Sequence, residues 1–261
     1  GDIVNRILCW FSCGAASAVA TKLAIVENAG KLPLVVVRCI VREEHEDNDR
    51  FAADCERWFG MPITNLINEK FDGSIYRVFQ KRKYISGHGG APCTLELKKN
   101  VRKAYQLPTD RHIFGYCAEE HGRWDSFLDA NNIDAHSPLI ERGLEHKDCL
   151  AMVENAGIRL PTMYYLGYHH NNCIGCVKAQ GQGYWNKIHD DFPDQFDNMA
   201  KLSRTFGVRL IKVDKDRIFL DELKRGTGDY QTEPEIQCGI FCEMAEKELV
   251  EIDAAKRRGW M

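Results

Sequence analysis

The chain has 261 residues, of which 44% are hydrophobic and 28% are charged, values typical of a globular protein with a hydrophobic core. Thirty-five Lys and Arg residues against 38 Asp and Glu residues give a net charge of −3, which provides no overall attraction to nucleic acid or to an anionic membrane. No apolar stretch reaches the roughly 20 residues that a membrane-spanning helix needs. The first residues also lack the basic segment and apolar run of a signal peptide, so we expect a cytoplasmic protein without a membrane partner.

Strands and helices are predicted to alternate over the first half of the chain. Short apolar runs predict strands, and apolar positions spaced three or four residues apart predict helices. In chain order these are a strand at 6–11, a helix at 18–27, a strand at 34–41, a helix at 47–59, a strand at 62–66, a helix at 94–105, a strand at 112–115 and a helix from Glu119. This alternation predicts an α/β fold with a parallel sheet.

The pattern loosens beyond residue 135. Helices are predicted at 144–155 and 196–206, and an extended segment at 209–213. The segment 161–183 is rich in Gly, Tyr, His, Asn and Cys and is interpreted as an ordered functional loop. Two glycines and a proline within 224–235 predict a flexible approach to the C-terminal segment.

Cysteine is frequent, with 11 residues. The odd number and the lack of a secretion signal predict reduced thiols rather than a disulfide framework. Five cysteines lie in apolar or periodic stretches and are predicted to be small buried hydrophobic residues, namely Cys9, Cys39, Cys55, Cys117 and Cys149. Cys13 lies in a glycine-containing loop, and the remainder lie in three motifs that indicate chemistry: CT at 93–94, CIGC at 173–176 and CGIFC at 238–242.

The first predicted strand runs into a loop of small residues, Ser12-Cys13-Gly14-Ala15-Ala16-Ser17, and then into a helix. Backbone N–H groups at such a helix N-terminus can cradle a phosphate or sulfate; a plain tight turn is the alternative. The loop resembles a degenerate SGGxDS loop of the PP-loop nucleotide-binding superfamily, which includes ATP pyrophosphatases, tRNA sulfurtransferases and the sulfonucleotide reductases. Ala16 stands at the Asp of that motif, which pyrophosphate-splitting enzymes use around magnesium. The resemblance therefore favours a reductase-like chemistry.

Three further segments resemble the adenylyl-sulfate and phosphoadenylyl-sulfate (PAPS) reductases in order and approximate spacing. They are GYCAEEHGR at 115–123, SPLI at 137–140 before a helix, and the run LP, YY, GY and CIGC between 160 and 176. The resemblance implies a Rossmann-like, adenine nucleotide alpha-hydrolase-like domain at 1–185 and a C-terminal extension at 186–261. It also implies nucleotide contacts from Ser12, Cys13, Gly14, Ser17, Glu119 and Arg123.

The CIGC motif lets two thiolates converge on one metal or cluster, and a redox pair is the alternative. Cys93 lies 80 residues before Cys173 (173 − 93), and CTLELK at 93–98 resembles the reductases' C-C-x-x-x-K segment, with Thr94 at the second Cys. The resemblance implies a [4Fe-4S] cluster held by Cys93, Cys173 and Cys176, with Cys242 as a further metal ligand. Three thiolates would leave one iron open, as in [4Fe-4S] tRNA sulfurtransferases. The alternative is zinc, held by Cys173, Cys176, Cys238 and Cys242.

The segment QCGIF at 237–241 resembles the reductases' terminal ECGLH, whose Cys attacks the sulfur of the nucleotide. The resemblance thus implies that Cys238 releases sulfite from adenylyl sulfate or PAPS, with a thiol reductant such as thioredoxin as the partner. Lys98 is implied as a catalytic cation beside the phosphosulfate; a solvated helix residue is the alternative.

Two other functions stay open. One is a [4Fe-4S]-dependent sulfurtransferase that uses an ATP-type nucleotide to thiolate a nucleic acid or a metabolite. The other is a non-catalytic nucleotide-binding metalloprotein. The net charge gives a nucleic-acid substrate no support, although Lys98, Lys99, Arg102 and Lys103 predict a local basic helix face. Association into a homo-oligomer is compatible with the sequence.

Overall fold

The computed structural model describes residues 3–87 and 90–236, which form two compact units. The sheet unit contains the described residues up to Ile40, together with His45–Asn68 and Asn100–Asn171. The cysteine unit contains Val41–Glu44, the described part of Glu69–Lys99 and the described residues from Asn172 onward. Cys238 and Cys242 lie outside the described residues. The division into domains at residue 185 stays a prediction.

A parallel sheet forms the centre of the sheet unit. Its strands are β1 (Arg6–Trp10), β2 (Leu34–Cys39), β3 (Ile63–Leu66), β4 (Asp110–Ile113) and β5 (Asp134–His136). They are all parallel and follow the order β3-β2-β1-β4-β5, so β1 is central. Leu8 and Cys9 of β1 are fully buried, as expected of a central strand in a parallel sheet. This Rossmann-like α/β topology confirms the predicted fold class.

The described residues also form a series of helices. In chain order they are α1 (Ala15–Asn28), α2 (Asn48–Phe59), α3 (Ile75–Arg82), α4 (Pro92–Thr94), α5 (Asn100–Tyr105), α6 (His121–Ala130), α7 (Pro138–Glu141), α8 (His146–Asn155), α9 (Thr162–Tyr165), α10 (Gln182–Asp191) and α11 (Pro193–Thr205). A π-helical turn, Leu95–Lys99, follows α4. Helices α3, α4, α10 and α11 belong to the cysteine unit, with an antiparallel pair, β6 (Ile211–Val213) and β7 (Asp216–Ile218). Within the described residues, no helix combines the length and the apolar character that crossing a membrane requires.

The core of the sheet unit lies between α1 and its neighbours. Ala18 and Val19 of α1 and Cys149 and Val153 of α8 are fully buried in one apolar cluster, and α1 lies against both α7 and α8. Because small alanines line α1, its backbone can approach the sheet closely. The first turn of α1, which carries the predicted nucleotide loop, is therefore anchored by packing along the rest of the helix.

The predicted buried cysteines behave as apolar core residues. Cys9, Cys55, Cys117 and Cys149 are at most 2% exposed, whereas Cys39 is half-buried. A hydrogen bond to Cys149, together with burial, raises the pKa of the Cys117 thiol, which keeps it protonated and unreactive. None of the nine cysteines among the described residues forms a disulfide.

The segment 224–236 differs from the prediction of a flexible approach, because it is bound to α10 of the same unit. The Asn186 side chain donates to the carbonyls of Lys224 (3.2 Å) and Thr227 (2.8 Å). The Glu233 carboxylate accepts the N–H groups of Gly183 (2.5 Å) and Tyr184 (3.0 Å) at the start of α10. It thereby satisfies donors that a helix N-terminus leaves unpaired. Between Lys224 and Glu233 the chain is therefore held against α10, and the predicted flexible approach is wrong there.

Candidate nucleotide loop and cysteine loop

The loop between β1 and α1 is shaped by its own hydroxyl groups. The Ser17 hydroxyl accepts the Ser12 N–H (3.0 Å), donates to the Gly14 carbonyl (3.2 Å) and lies 3.1 Å from the Ser12 hydroxyl. The structure thus brings three of the predicted nucleotide residues together at the carboxyl end of β1. In open α/β sheets, this edge is where ligands bind.

Cys13 takes part in the loop through its backbone rather than its thiol. Its φ of 60° lies in the left-handed region, which favours glycine, and the matching position of the SGGxDS motif is a Gly. The Cys13 side chain is fully buried, and its Sγ donates to the Asn48 carbonyl at 3.7 Å. A direct contact between the Cys13 thiol and a nucleotide is therefore not supported by the geometry.

The N-terminus of α1 presents free N–H groups. The helix has no side-chain cap, and the Ala15 N–H is 3.5 Å from the Tyr164 hydroxyl. Among the residues that the structure describes, no acceptor contacts the N–H groups of Ala16 and Ser17. Together with the positive end of the helix dipole, these groups form an anion cradle.

Two side chains from distant parts of the sequence complete the loop. The Tyr164 hydroxyl accepts the backbone N–H groups of Ala15 and Asn171, and burial raises the pKa of Tyr164 to about 12. The Asn171 amide donates from Nδ2 to the Cys13 carbonyl (2.9 Å) and to Oδ1 of Asn48 (2.8 Å). Sequence reasoning missed these contacts, because no local pattern joins residues about 150 positions apart.

Gly115, which follows β4, lies against the first turn of α1. A Cβ atom at Gly115 would be 2.7 Å from both N and Cα of Ser17, closer than real Cβ atoms approach backbone. Glycine is therefore required here for space.

The predicted nucleotide residues Glu119 and Arg123 are engaged in contacts within the sheet unit. Glu119 accepts the backbone N–H of His146 at the start of α8 (2.9 Å). Arg123 pairs with Glu120 at 2.5 Å and lies over the ring of Tyr116. These contacts give both side chains structural partners, and their contact with a nucleotide stays a prediction.

We expect Gly14→Val to abolish binding of adenine nucleotides while leaving the protein folded. Gly14 has φ of −97°, which any residue adopts, and a Cβ there would make only ordinary contacts, 3.6 Å from the Tyr164 hydroxyl. The branched side chain would instead occupy the space that a phosphate needs beside the N–H groups. Calorimetric titration with ATP and AMP measures the effect. Gly122→Ala, at a position with open space around it, is the control, and unchanged affinity in a folded Gly14→Val protein would refute the cradle.

The CIGC loop lies in the cysteine unit. Cys173 is half-buried and Cys176 is 2% exposed. Between them Gly175 has φ of 73°, a left-handed conformation that turns the chain. The Cys176 N–H donates to the Tyr184 hydroxyl, and the Ile174 N–H donates to the Glu43 carbonyl, each at 2.9 Å. The backbone of the cysteine pair is thus fixed from both sides.

Cys93 and Thr94 end the short helix α4 of the same unit, where they are 8% and 1% exposed. Thr94 brings no thiol to the position that is a second Cys in the reductases. Among the described residues, no three His, Cys, Asp or Glu side chains are grouped closely enough to hold a metal ion. A single zinc ion needs sulfur atoms within about 4 Å of each other, whereas cluster ligands bind separate irons and lie farther apart. The described residues thus show no metal site of their own, and ligation of a cluster by Cys93, Cys173 and Cys176 stays a prediction.

Lys98 lies in the π-helical turn and faces a carboxylate. Its Nζ is 4.0 Å from Oε1 of Glu44, and the two side chains are 15% and 8% exposed. The neighbouring Glu43 accepts the Ser74 hydroxyl (3.0 Å) and the Ile75 N–H (2.5 Å) at the start of α3, and burial raises its pKa. The positive charge of Lys98 is therefore already partnered within its own unit.

The structure contradicts the predicted basic helix face at Arg102. Arg102 is completely buried, and its guanidinium donates to the side chains of Gln106 (3.0 Å) and Asn131 (3.2 Å). A buried arginine offers no charge to a nucleic-acid backbone, which binds exposed Lys and Arg.

Comparison with known proteins leaves the chain without a family assignment. No family model matches it, and no curated protein matches it. Among solved structures it is similar to the U34-tRNA thiolase NcsA from Methanococcus maripaludis with its [4Fe-4S] cluster. The TM-score is 0.39 at 11% identity, over 79% of this chain and 72% of that chain. A likeness at this level says nothing of the activity of this chain.

Proposed function

We propose that the protein is an adenine-nucleotide-dependent sulfurtransferase with a [4Fe-4S] cluster. The nucleotide would bind at the Ser12–Ser17 loop, and Cys93, Cys173 and Cys176 would hold the cluster. The observation that carries the proposal is the set of cysteines in the cysteine unit. By the resemblance to the reductases, Thr94, which is buried, stands where they have a second Cys, so Cys93, Cys173 and Cys176 are the proposed ligands. The iron left without a protein thiolate would supply a binding place for the sulfur that is transferred.

The nucleotide loop supports the first half of this reaction. ATP would adenylate an oxygen of the acceptor and release pyrophosphate; sulfide would then displace AMP, so that the acceptor exchanges oxygen for sulfur. The N–H groups at the start of α1 suit the phosphate chain. Because Ala16 replaces the Asp of the superfamily loop, a magnesium ligand would have to come from another residue. Burial of Arg102 removes one charge from the basic helix face that a nucleic-acid acceptor would contact.

The first test is the metal content of cysteine variants. We expect anaerobically purified wild-type protein to be brown and to contain iron and sulfide, and Cys93→Ser and Cys173→Ser to lose at least half of both. The control is Cys39→Ser, which changes a half-buried thiol of the sheet unit and should keep the iron. Colourless wild-type protein containing zinc would refute the cluster.

The second test asks whether the protein transfers sulfur, as proposed, or reduces a sulfonucleotide instead. The cluster-loaded protein is incubated with ATP and sulfide, with and without bulk tRNA or a metabolite extract, and AMP and thiolated products are measured. AMP formation that depends on sulfide and an acceptor supports the sulfurtransferase. If ATP stays intact under all these conditions, the sulfurtransferase is refuted.

A sulfonucleotide reductase is the second candidate, and Ala16 favours it. A reductase splits no pyrophosphate and does not need the missing Asp. Cys238, outside the described residues, would attack the sulfur of adenylyl sulfate or PAPS and release AMP or adenosine 3′,5′-bisphosphate. A thiol reductant would then free sulfite. Sulfite formation that is lost in Cys238→Ser, with iron and nucleotide binding intact, would establish this reaction instead.

A further inference from the structure

The side chain of Asn171 has an acceptor that the protein leaves unused. Both protons of its Nδ2 are directed at oxygen atoms, the Cys13 carbonyl (2.9 Å) and Oδ1 of Asn48 (2.8 Å). This pairing fixes which amide atom is nitrogen, because a flipped amide would place oxygen against oxygen. Oδ1 of Asn171 is buried and has no hydrogen-bond donor anywhere in residues 3–87 and 90–236.

A buried acceptor without a donor is rare in native proteins. Asn171 is 8% exposed and Asn48 is 1% exposed, so bulk water does not satisfy the group. Its backbone is also fixed, since the Asn171 N–H donates to the Tyr164 hydroxyl. The side chain is thus held in one orientation by two partners, the Cys13 carbonyl and Oδ1 of Asn48, and its own Oδ1 has no partner among the described residues.

The unused oxygen lies in the region where the proposed nucleotide would bind. It is one carbon atom away from the nitrogen that contacts the nucleotide loop. Cys13 follows β1, and Asn48 begins α2 after β2, so the amide sits at the carboxyl ends of two adjacent strands, where ligands bind in open sheets. Phosphate oxygens are acceptors and would repel it. The complementary ligand group is therefore a hydrogen-bond donor.

We propose that Oδ1 of Asn171 accepts a hydrogen bond from a donor of the bound nucleotide, so that Asn171 both positions the phosphate loop and selects the nucleoside. The donor is either the 6-amino group of adenine or a ribose hydroxyl. A nucleotide that lacks this donor would leave the buried oxygen unsatisfied and would bind about three- to tenfold more weakly. The inference rests on the proposed nucleotide site and adds to it a residue that chooses between nucleosides.

The test compares analogues rather than absolute affinities, because any change at Asn171 also loosens the loop. Dissociation constants are measured by calorimetry for ATP, ITP, 2′-deoxy-ATP and 3′-deoxy-ATP. The ratio of each analogue to ATP is determined for wild-type protein, Asn171→Ala and Asn48→Ala. Asn48→Ala is the matched control, since it removes an oxygen that holds the same amide but keeps Oδ1 of Asn171. Asn171→Asp keeps an oxygen at this position and is a second control, and Asn171→Leu, which also removes the oxygen, replaces Asn171→Ala if that variant does not fold.

We expect wild-type protein to disfavour one analogue, and that analogue identifies the donor. Asn171→Ala should weaken ATP binding and bring the ratio of the two dissociation constants, for this analogue and for ATP, close to one. Asn48→Ala and Asn171→Asp should weaken binding but keep the wild-type ratio. Equal affinity of wild-type protein for all four nucleotides, or ratios that survive in Asn171→Ala, would overturn the inference and leave a buried water as the partner. If wild-type protein binds none of the nucleotides, the proposed nucleotide site itself fails.

Discussion

Gly115→Ala is expected to destabilise the protein by about 1–3 kcal/mol, the usual cost of forcing an atom into a packed interior. The added methyl group would lie 2.7 Å from N and Cα of Ser17. Both atoms belong to helix backbone, which cannot rotate aside as a side chain can. The clash is relieved only if the start of α1 moves away from the end of β4.

The same movement should weaken nucleotide binding. Ser17 shapes the loop through its bonds to Ser12 and Gly14, so a shift of its backbone displaces the N–H groups of the cradle. We expect urea unfolding to show the loss of stability and calorimetry to show at least a tenfold loss of ATP affinity. Gly122→Ala is the control, because open space surrounds that position in α6 and alanine is favoured in helices. A fully stable Gly115→Ala protein with wild-type affinity would contradict this account of the loop.

The fold was largely predictable because its central strands carry a strong local signal. The apolar runs of β1 and β2 and the small-residue loop after β1 are read directly from neighbouring residues. β5, with the sequence DAH, has no apolar run and was missed. β4 begins two residues earlier than predicted, since the polar Asp110 is buried in an ion pair with Arg6 (2.8 Å). That partner lies 104 positions away.

The candidate nucleotide site was predictable only where its residues lie close together in the sequence. Ser12, Gly14 and Ser17 are close together because one turn carries them. Tyr164 and Asn171 join them through contacts of the folded sheet unit, which no periodicity encodes. Composition gave a wrong expectation at two places. Arginine is usually exposed, yet Arg102 is buried. The glycines of 224–235 predicted flexibility, yet they belong to a bound segment. Gly228, for example, packs against the backbone of Gly183.

His112 provides the second large expected effect, a loss of stability in acid. It is 1% exposed on β4, and its Nδ1 accepts the indole N–H of Trp10 at 3.0 Å. Burial, together with the charge of Arg102, lowers the pKa of His112 to about 4, against about 6.5 for an unfolded chain. A protonated ring could no longer accept the Trp10 hydrogen bond, so the folded state holds His112 neutral.

The sign of the effect follows from proton binding. Above about pH 6.5 both states leave His112 neutral, and its contribution to stability is fully present. As the pH falls from there toward about 4, the unfolded chain takes up a proton that the folded protein refuses. The free energy of unfolding should therefore fall by about 3 kcal/mol between pH 8 and pH 4 on account of this residue.

Two histidine variants assign this pH dependence. His112→Gln keeps an oxygen that can accept the Trp10 N–H, but this side chain does not titrate. Between pH 8 and pH 4, the fall in its free energy of unfolding should therefore be about 3 kcal/mol smaller than the fall for wild-type protein. His121→Gln changes an exposed histidine at the start of α6 and should follow the wild-type curve. Urea unfolding followed by tryptophan fluorescence at several pH values measures all three proteins. Parallel curves for wild-type and His112→Gln would show that another group carries the acid sensitivity, and that the stack of Trp10, His112 and Phe114 tolerates a charge.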